Sequence, residues 1–156
     1  MTNRKLSKKY YFSVEGETEK WYLDWLQDQI NAAEKASIKV SLDSRIEKDP
    51  LKRAKGMVVT QKTEIYHLSD YESDEEIHVA QFTKTMDKMK AAMELGKRIT
   101  YKFGYSNFTF DLWIVLHKID CRATLIHRKK YLKYINDAYI ENFESMDEYK
   151  KDFVGL

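Results

Sequence analysis

Three glutamates within five residues are the first feature of this sequence that could do chemistry. Glu15, Glu17 and Glu19 follow the run Tyr10–Val14, whose apolar and aromatic residues predict a strand. If a helix begins by Gly16, Glu15 and Glu19 lie on one face of its first turn. Neighbouring carboxylates repel each other unless a cation lies between them, and Mg²⁺ is held by a few carboxylates plus water. The alternative is that the charges only oppose the helix dipole, which accounts for Glu17 and could account for Glu19.

A second acidic group follows the predicted strand Glu64–Ser69. Asp70, Glu72 and Asp74 alternate, so an extended backbone would point all three side chains the same way. Two metal ions held by such carboxylates can clamp the attacking and leaving oxygens of a phosphodiester. The pattern therefore indicates metal-dependent phosphodiester chemistry, and its alternative is a solvated acidic loop.

The elements that must position these residues alternate between strands and helices. The predicted strands are Tyr10–Val14, Ile38–Ile46, Glu64–Ser69 and Ile99–Phe103. Helices are predicted from Thr18 to about Ala33, from Asp49-Pro50 through Val58 and Val59, around Phe82–Met93, over Phe108–Lys118 and over Arg128–Tyr139. This order predicts an α/β fold with a mostly parallel, Rossmann-like four-stranded sheet flanked by helices. Ligands bind at the carboxyl ends of such strands, which selects Glu15, Asp70 and Ser106, the last in a predicted "GYSN" turn.

The apolar run Phe108–Lys118 predicts a buried helix. It places Trp113 in the core and makes a hydrogen-bonded core histidine the default for His117.

Net charge limits how this protein could bind nucleic acid. A charge of +2 is too small for a protein that coats nucleic acid by charge alone, so a local patch or bound metal is needed. Arg128, Lys129 and Lys130 lie in "HRKKYLKY", which interleaves cations and tyrosines as phosphate-and-base surfaces do. A solvated helix face is the alternative for that stretch.

Cysteine content and hydropathy bear on the compartment. Cys121 is the only cysteine, which excludes an internal disulfide and favours a reducing cytoplasm. No apolar run approaches the length of a membrane span, so no membrane partner is expected.

Two stretches resemble known families. "VEGETE" after a strand resembles the first motif of the TOPRIM catalytic domain, as found in overcoming-lysogenization-defect nucleases. "SNFTFDLWIVLHK" resembles the Ser-Asn-Pro-x-Phe-Glu-Leu-Trp-x-x-x-His signature of RloB-like proteins, which are TOPRIM-related and occur in phage-defence and restriction-linked loci. The matching residues are Ser106, Asn107, Phe110, Leu112, Trp113 and His117. Asp111 stands for the Glu of the family, and Thr109 or Phe108 stands where Pro or Cys is usual.

The resemblance implies a TOPRIM-like fold and a role for each matching residue. The implied ligands of Mg²⁺ or Mn²⁺ are Glu15, Glu19, Asp70 and Glu72. Glu15 would also transfer a proton, and the motif match makes His117 a candidate catalytic residue. Polar groups beside the metals would be Ser106, Asn107 and Asp111. Glu72 is one methylene longer than the Asp of the family, which alters the expected metal spacing.

The prediction is a single domain over residues 1–156 that cleaves nucleic acid in phage defence, with an ATPase partner suggested by the resemblance. DNA is preferred to RNA as the substrate. Members of the family often continue past the position of Leu156, so a C-terminal extension is expected. One alternative is a non-catalytic accessory subunit of a defence or restriction system, and another is an interaction module that uses the 11 tyrosines.

Overall fold

The computed structural model describes residues 5–71, 73–107, 109–122 and 127–152, and for Asn107 and Arg128 it describes the backbone alone. The strands are β1 (Leu6–Val14), β2 (Ile38–Ile46), β3 (Thr63–Tyr71) and β4 (Ile99–Asn107). The helices are α1 (Glu17–Ala32), α2 (Pro50–Lys55), α3 (Glu76–Met93), α4 (Asp111–Leu116), α5 (Tyr131–Tyr139) and α6 (Met146–Asp152), and a 3-10 turn (Arg128–Lys130) precedes α5. None of the described helices is both long enough and apolar enough to cross a membrane.

The four strands form one parallel sheet in the order β2-β1-β3-β4, with helices flanking it. β1 pairs with β2 from Leu6 opposite Ile38 to Val14 opposite Ile46. The pairing of β1 with β3 ends at Val14 opposite Leu68. The predicted α/β class and the four-stranded parallel sheet are therefore confirmed.

The chain divides into two compact units, which are described separately below. The first comprises Met1–Ser69 and Ala80–Gly104, and the second comprises Asp70–Val79 and Tyr105–Leu156. The single domain expected over residues 1–156 stays a prediction.

The hydrophobic core of the first unit lies between strands and the helices α2 and α3. Strand residues Ile65, Ile99 and Tyr101 are buried there against Ala54 of α2 and Met89 of α3. Burial of such side chains away from water is the main force that holds the helices on the sheet.

Helix α1 protects the open edge of the sheet at β2. The Asn31 amide donates to the Val40 carbonyl (2.9 Å) and its oxygen accepts from the Val40 N–H (2.8 Å). Gln27 Oε1 accepts from the Leu42 N–H at 2.8 Å. The backbone groups that an edge strand would leave unpaired are thus satisfied by side chains of the same unit.

Helix α2 is held at both ends by side chains. Asp49 accepts from the backbone N–H groups of Leu51 and Lys52 at 3.0 and 3.1 Å, as its predicted capping role requires. The Lys97 ammonium donates to three carbonyl oxygens at the other end of the helix, those of Ala54, Lys55 and Met57. The helix therefore stops at Lys55, and the predicted continuation through Val58 and Val59 is wrong.

The core of the second unit is formed by α4, α5 and the segment after them. It buries Val115, Tyr131, Ile135, Phe143 and Tyr149. The Tyr139 hydroxyl also donates to the Ile114 carbonyl at 3.0 Å, which ties α5 to α4.

The exposure of α4 differs from the prediction. Its buried residues are Asp111, Ile114 and Val115, whereas Trp113 is 48% exposed and Leu116 is 43% exposed. The helix described extends only from Asp111 to Leu116, with a single face against the core. The prediction of a helix buried on all sides, with Trp113 in the core, is wrong.

Candidate functional site

The loop between β1 and α1 places the two predicted glutamates in different settings. Gly16 is extended (φ −148°, ψ 179°), and the helix begins at Glu17. Glu15 therefore precedes the first turn, and the expected shared helix face with Glu19 does not form. Glu15 is partly exposed, whereas Glu19 is 6% exposed.

The buried Glu19 carboxylate folds back over Gly16. A Cβ atom at Gly16 would lie only 3.0 Å from Glu19 Oε2, so the missing side chain leaves room for the carboxylate. Taking a carboxylate out of water is costly, and the partial positive charge of the helix N-terminus offsets part of that cost. The sequence "VEGETE" thus encodes a buried carboxylate at the end of β1.

Asp70 and Ser106 come together in the second unit. Both lie inside strands, because β3 continues to Tyr71 and β4 continues to Asn107, further than predicted. The "GYSN" segment is therefore strand and not a turn. Ser106 Oγ donates to Asp70 Oδ1 at 2.5 Å, so the hydroxyl fixes the orientation of the carboxylate.

The acidic stretch after β3 does not continue as a strand. Because β3 ends at Tyr71, the predicted alternation does not extend to Asp74, which lies in an exposed bend. The Tyr71 hydroxyl donates to Asp74 Oδ1 at 2.8 Å, and this hydrogen bond raises the pKa of Tyr71. Glu72, the fourth predicted metal ligand, lies outside the described residues.

Asp111 begins α4 and is fully buried. Thr109 Oγ1 donates to Asp111 Oδ2 at 2.8 Å and accepts from the Asp111 N–H at 3.4 Å. Thr109, which is also fully buried, was not selected from the sequence. A threonine two residues before an aspartate can form such a local side-chain hydrogen bond, and this spacing could have indicated Thr109. Asn107 ends β4 and has only its backbone described.

His117 is exposed just after the last residue of α4. Its ring meets that of Trp113 edge to face, with centroids 5.7 Å apart. The default expectation of a core histidine is therefore wrong, and the catalytic role of His117 stays a prediction.

The predicted nucleic-acid-binding cations form the turn before α5. Arg128, Lys129 and Lys130 make up this 3-10 turn, and the side chains of Lys129 and Lys130 are exposed. The Lys129 N–H donates to His127 Nδ1 at 3.2 Å, which helps to shape the turn.

His67, near the end of β3, is a buried histidine that was not selected from the sequence. His67 is fully buried, stacks on Phe103 at 6.0 Å, and pairs in register with Ser13 of β1. Neither ring nitrogen has a hydrogen-bond partner within the described part of the chain. Burial lowers the pKa of His67 to about 4. Its inward position between Ile65 and Ser69 is a signal that strand periodicity could have provided.

The donor chemistry of the predicted ligands suits Mg²⁺ or Mn²⁺, because all four are carboxylates. Among the residues that the structure describes, no three His, Cys, Asp or Glu side chains form a group that could hold a metal ion. The set of four ligands includes Glu72, so the complete set stays a prediction.

A family model adds independent information about the chain. The model described as RloB-like protein matches residues 10–154. The chain belongs to the RloB-like protein family. This RloB-like match spans every predicted site residue, from Glu15 to Lys130. No curated protein and no solved structure matches the chain.

Proposed function

We propose that this RloB-like protein is a metal-dependent nuclease that cleaves nucleic acid phosphodiesters in phage defence, with an ATPase as partner. The proposed ligands of Mg²⁺ or Mn²⁺ are the carboxylates of Glu15, Glu19, Asp70 and Glu72. When bound, such ions activate water and stabilise charge on the phosphodiester oxygens.

The observation that carries the proposal is the hydrogen bond from Ser106 to Asp70. A carboxylate held in one orientation at the carboxyl ends of two parallel strands is in the usual place for a ligand site in an α/β fold. The family match over both motifs supports the same function.

The proposal assigns a distinct role to each of four residues. Glu15 is partly exposed, so it can exchange a proton with water or substrate and act as the acid or base. Glu19 is buried and is assigned to metal binding alone. Ser106 positions Asp70, and Asp111 is oriented by Thr109.

A cleavage assay tests the function directly. Plasmid DNA, single-stranded DNA and RNA are incubated with the protein and Mg²⁺ or Mn²⁺, with and without the ATPase. We expect metal-dependent cleavage that Glu15→Gln and Asp70→Asn reduce by at least about 100-fold, since each removes a charge that acts on the reacting groups. The matched control is Glu17→Gln at the first residue of α1, where the side chain is exposed and cleavage should persist. Equal losses in all three variants would contradict the assignment.

Metal binding can be measured separately from cleavage. Mg²⁺ at about 100 times its Kd should stabilise the native protein by about 2.7 kcal/mol through mass action, seen as a rise in Tm. Glu15→Gln should lose this rise and Glu17→Gln should keep it. A rise of equal size in both variants would show that the ion binds elsewhere.

The exposure of Trp113 and Leu116 favours a second candidate, a non-catalytic accessory subunit that binds a partner through α4. Substrate binding without cleavage in any metal, with the ATPase present, would support this candidate over the nuclease.

A further inference from the structure

Helix α4 carries an exposed aromatic surface. Trp113 is 48% exposed, Leu116 is 43% exposed and His117 is exposed, and the three share one side of the helix at spacings of three and four residues. The Trp113 and His117 rings are in edge-to-face contact. We call these three residues the α4 patch. A large aromatic side chain kept in water beside another apolar residue is typical of a binding surface.

The chain that follows the α4 patch is strongly basic. Residues 118–133 contain six Lys and Arg against one Asp, whereas the whole chain has 27 Lys and Arg against 25 Asp and Glu. This stretch therefore carries a net positive charge, although the rest of the protein taken together is net negative. The described cations with exposed side chains in this stretch are Lys118, Arg122, Lys129, Lys130 and Lys133.

The patch and the cations belong to the same compact unit. Val115 of α4 shares a core with Tyr131 and Ile135 of α5, the helix that begins directly after Lys130. The Lys118 ammonium lies 5.5 Å from the centre of the Tyr139 ring, also on α5. Helices α4 and α5 are packed together, so Trp113 on α4 and Lys133 on α5 are carried by two helices in contact with each other.

We propose that the α4 patch stacks an unpaired base of single-stranded nucleic acid, whose phosphates are bound by exposed cations of the same unit, chiefly Lys118, Lys129 and Lys130. This inference rests on the proposed function, which requires a nucleic acid substrate. Stacking on an aromatic ring beside a basic surface is how proteins hold single strands without reading sequence. The excess of cations favours a polyanion over an apolar protein partner, and an exposed indole adds nothing to binding of a duplex whose bases are already stacked.

Binding to a labelled single-stranded oligonucleotide of about 20 nucleotides, measured in EDTA, tests the stacking role. Trp113→Ala should weaken binding about 10- to 100-fold, as loss of one base-stacking aromatic does. Trp113→Tyr should stay within about threefold of the native protein, because the ring is kept. The matched control is Trp25→Ala, since Trp25 is also 48% exposed but lies on α1 in the other unit, and its loss should leave binding unchanged.

The salt dependence of binding tests the cations. Lys129→Gln with Lys130→Gln should lower the slope of log affinity against log salt by about 1.4, because each phosphate contact to a single strand contributes about 0.7. The control pair is Lys62→Gln with Lys84→Gln, two exposed lysines of the first unit, which should leave the slope unchanged.

Three results would overturn the inference. The first is equal affinity of Trp113→Ala and Trp25→Ala for the single strand. The second is that the native protein binds a duplex as tightly as the single strand, and that Trp113→Ala weakens both affinities equally. The third is a concentration-dependent dimer in sedimentation that Trp113→Ala abolishes while oligonucleotide binding is unchanged.

Binding is measured in EDTA, so it can be judged separately from cleavage. If the native protein binds the single strand through Trp113 but does not cleave nucleic acid, the nuclease proposal is rejected and the stacking proposal stands. If Trp113→Ala cleaves like the native protein and binds with unchanged affinity, the stacking proposal is rejected and the nuclease proposal stands.

Discussion

At the scale of single residues, three of the predicted site carboxylates each lie against a small neighbouring residue. Glu19 is accommodated over Gly16, Asp70 accepts from Ser106, and Asp111 accepts from Thr109. In each case a glycine or hydroxyl residue close in space fixes where a carboxylate oxygen lies. Such support restricts the carboxylates to few orientations, which a metal or phosphodiester site requires.

Gly16→Ala tests the closeness of Glu19 to the loop. The new methyl group would lie 3.0 Å from Glu19 Oε2, so the carboxylate must move. We expect Gly16→Ala to lower the unfolding free energy more when Glu19 is present than when it is replaced in Glu19→Ala. A double-mutant cycle should give a coupling of about 0.5–3 kcal/mol. Chemical denaturation of the four proteins measures it, and strictly additive effects would show that the two positions do not interact.

At the scale of elements, side chains form hydrogen bonds with backbone groups at the edge of a strand and at the ends of a helix. Asn31 and Gln27 pair the open edge of β2, while Asp49 and Lys97 cap the two ends of α2. Helix α4 shows the opposite property, because Trp113 and Leu116 are left in water although they lie in an apolar run.

Replacing Asn31 should destabilise the edge of the sheet. Asn31→Ala leaves the N–H and carbonyl of the buried Val40 without their side-chain partners. We expect a loss of about 1–3 kcal/mol in unfolding free energy, the usual cost of an unsatisfied buried group. Asp28→Ala, at an exposed position on the same helix, is the control and should change stability by less than about 0.5 kcal/mol. Equal losses would mean that the edge bonds contribute nothing specific.

Two substitutions in the second unit should differ in their effect on stability, because one is at the surface and the other is in the core. Trp113→Ala should cost less than about 1 kcal/mol of unfolding free energy, because the side chain is half-exposed. Ile135→Ala should cost about 2–5 kcal/mol, because Ile135 is fully buried in the core of α4 and α5. Denaturation curves with the same probe compare them, and a Trp113→Ala loss as large as that of Ile135→Ala would contradict the exposed position of the ring.

At the scale of the whole molecule, charge is distributed unevenly along the chain. Residues 118–133 carry a net positive charge, while the remaining chain taken together is net negative. The proposed binding of nucleic acid by a nearly neutral protein depends on such a local excess of positive charge. In the first unit, the fully buried His67 makes the folded state sensitive to acid.

His67 should make the protein less stable as the pH falls. Burial holds its pKa at about 4, below the usual 6.5, so between these values the unfolded chain binds a proton that the folded chain does not. Stability is therefore complete above pH 6.5 and declines towards pH 4, by up to about 3 kcal/mol. Denaturation at several pH values should show a weaker decline for His67→Gln than for the native protein. His127→Gln, at an exposed position, is the control, and an unchanged decline in His67→Gln would contradict the burial of the neutral ring.

The sequence alone determined the properties that depend on local pattern and local chemistry. The order of predicted strands and helices, which alternate along the chain, predicted the α/β class and the parallel sheet. The bounds of β2 were predicted without error, and Asp49-Pro50 indicated the start of α2. These features follow from periodicity and from capping within a few residues, so neighbours in the chain suffice to predict them.

Only the tertiary structure decided which side chains are buried and which meet across the fold. The apolar run around Trp113 predicted a core position, yet the structure packs only one side of α4 and leaves the indole in water. His67 was not selected from the sequence and is fully buried, and the hydrogen bond from Ser106 to Asp70 joins residues far apart in the chain. Burial and long-range contacts depend on what packs around a residue, and a single sequence records the residue but not its surroundings.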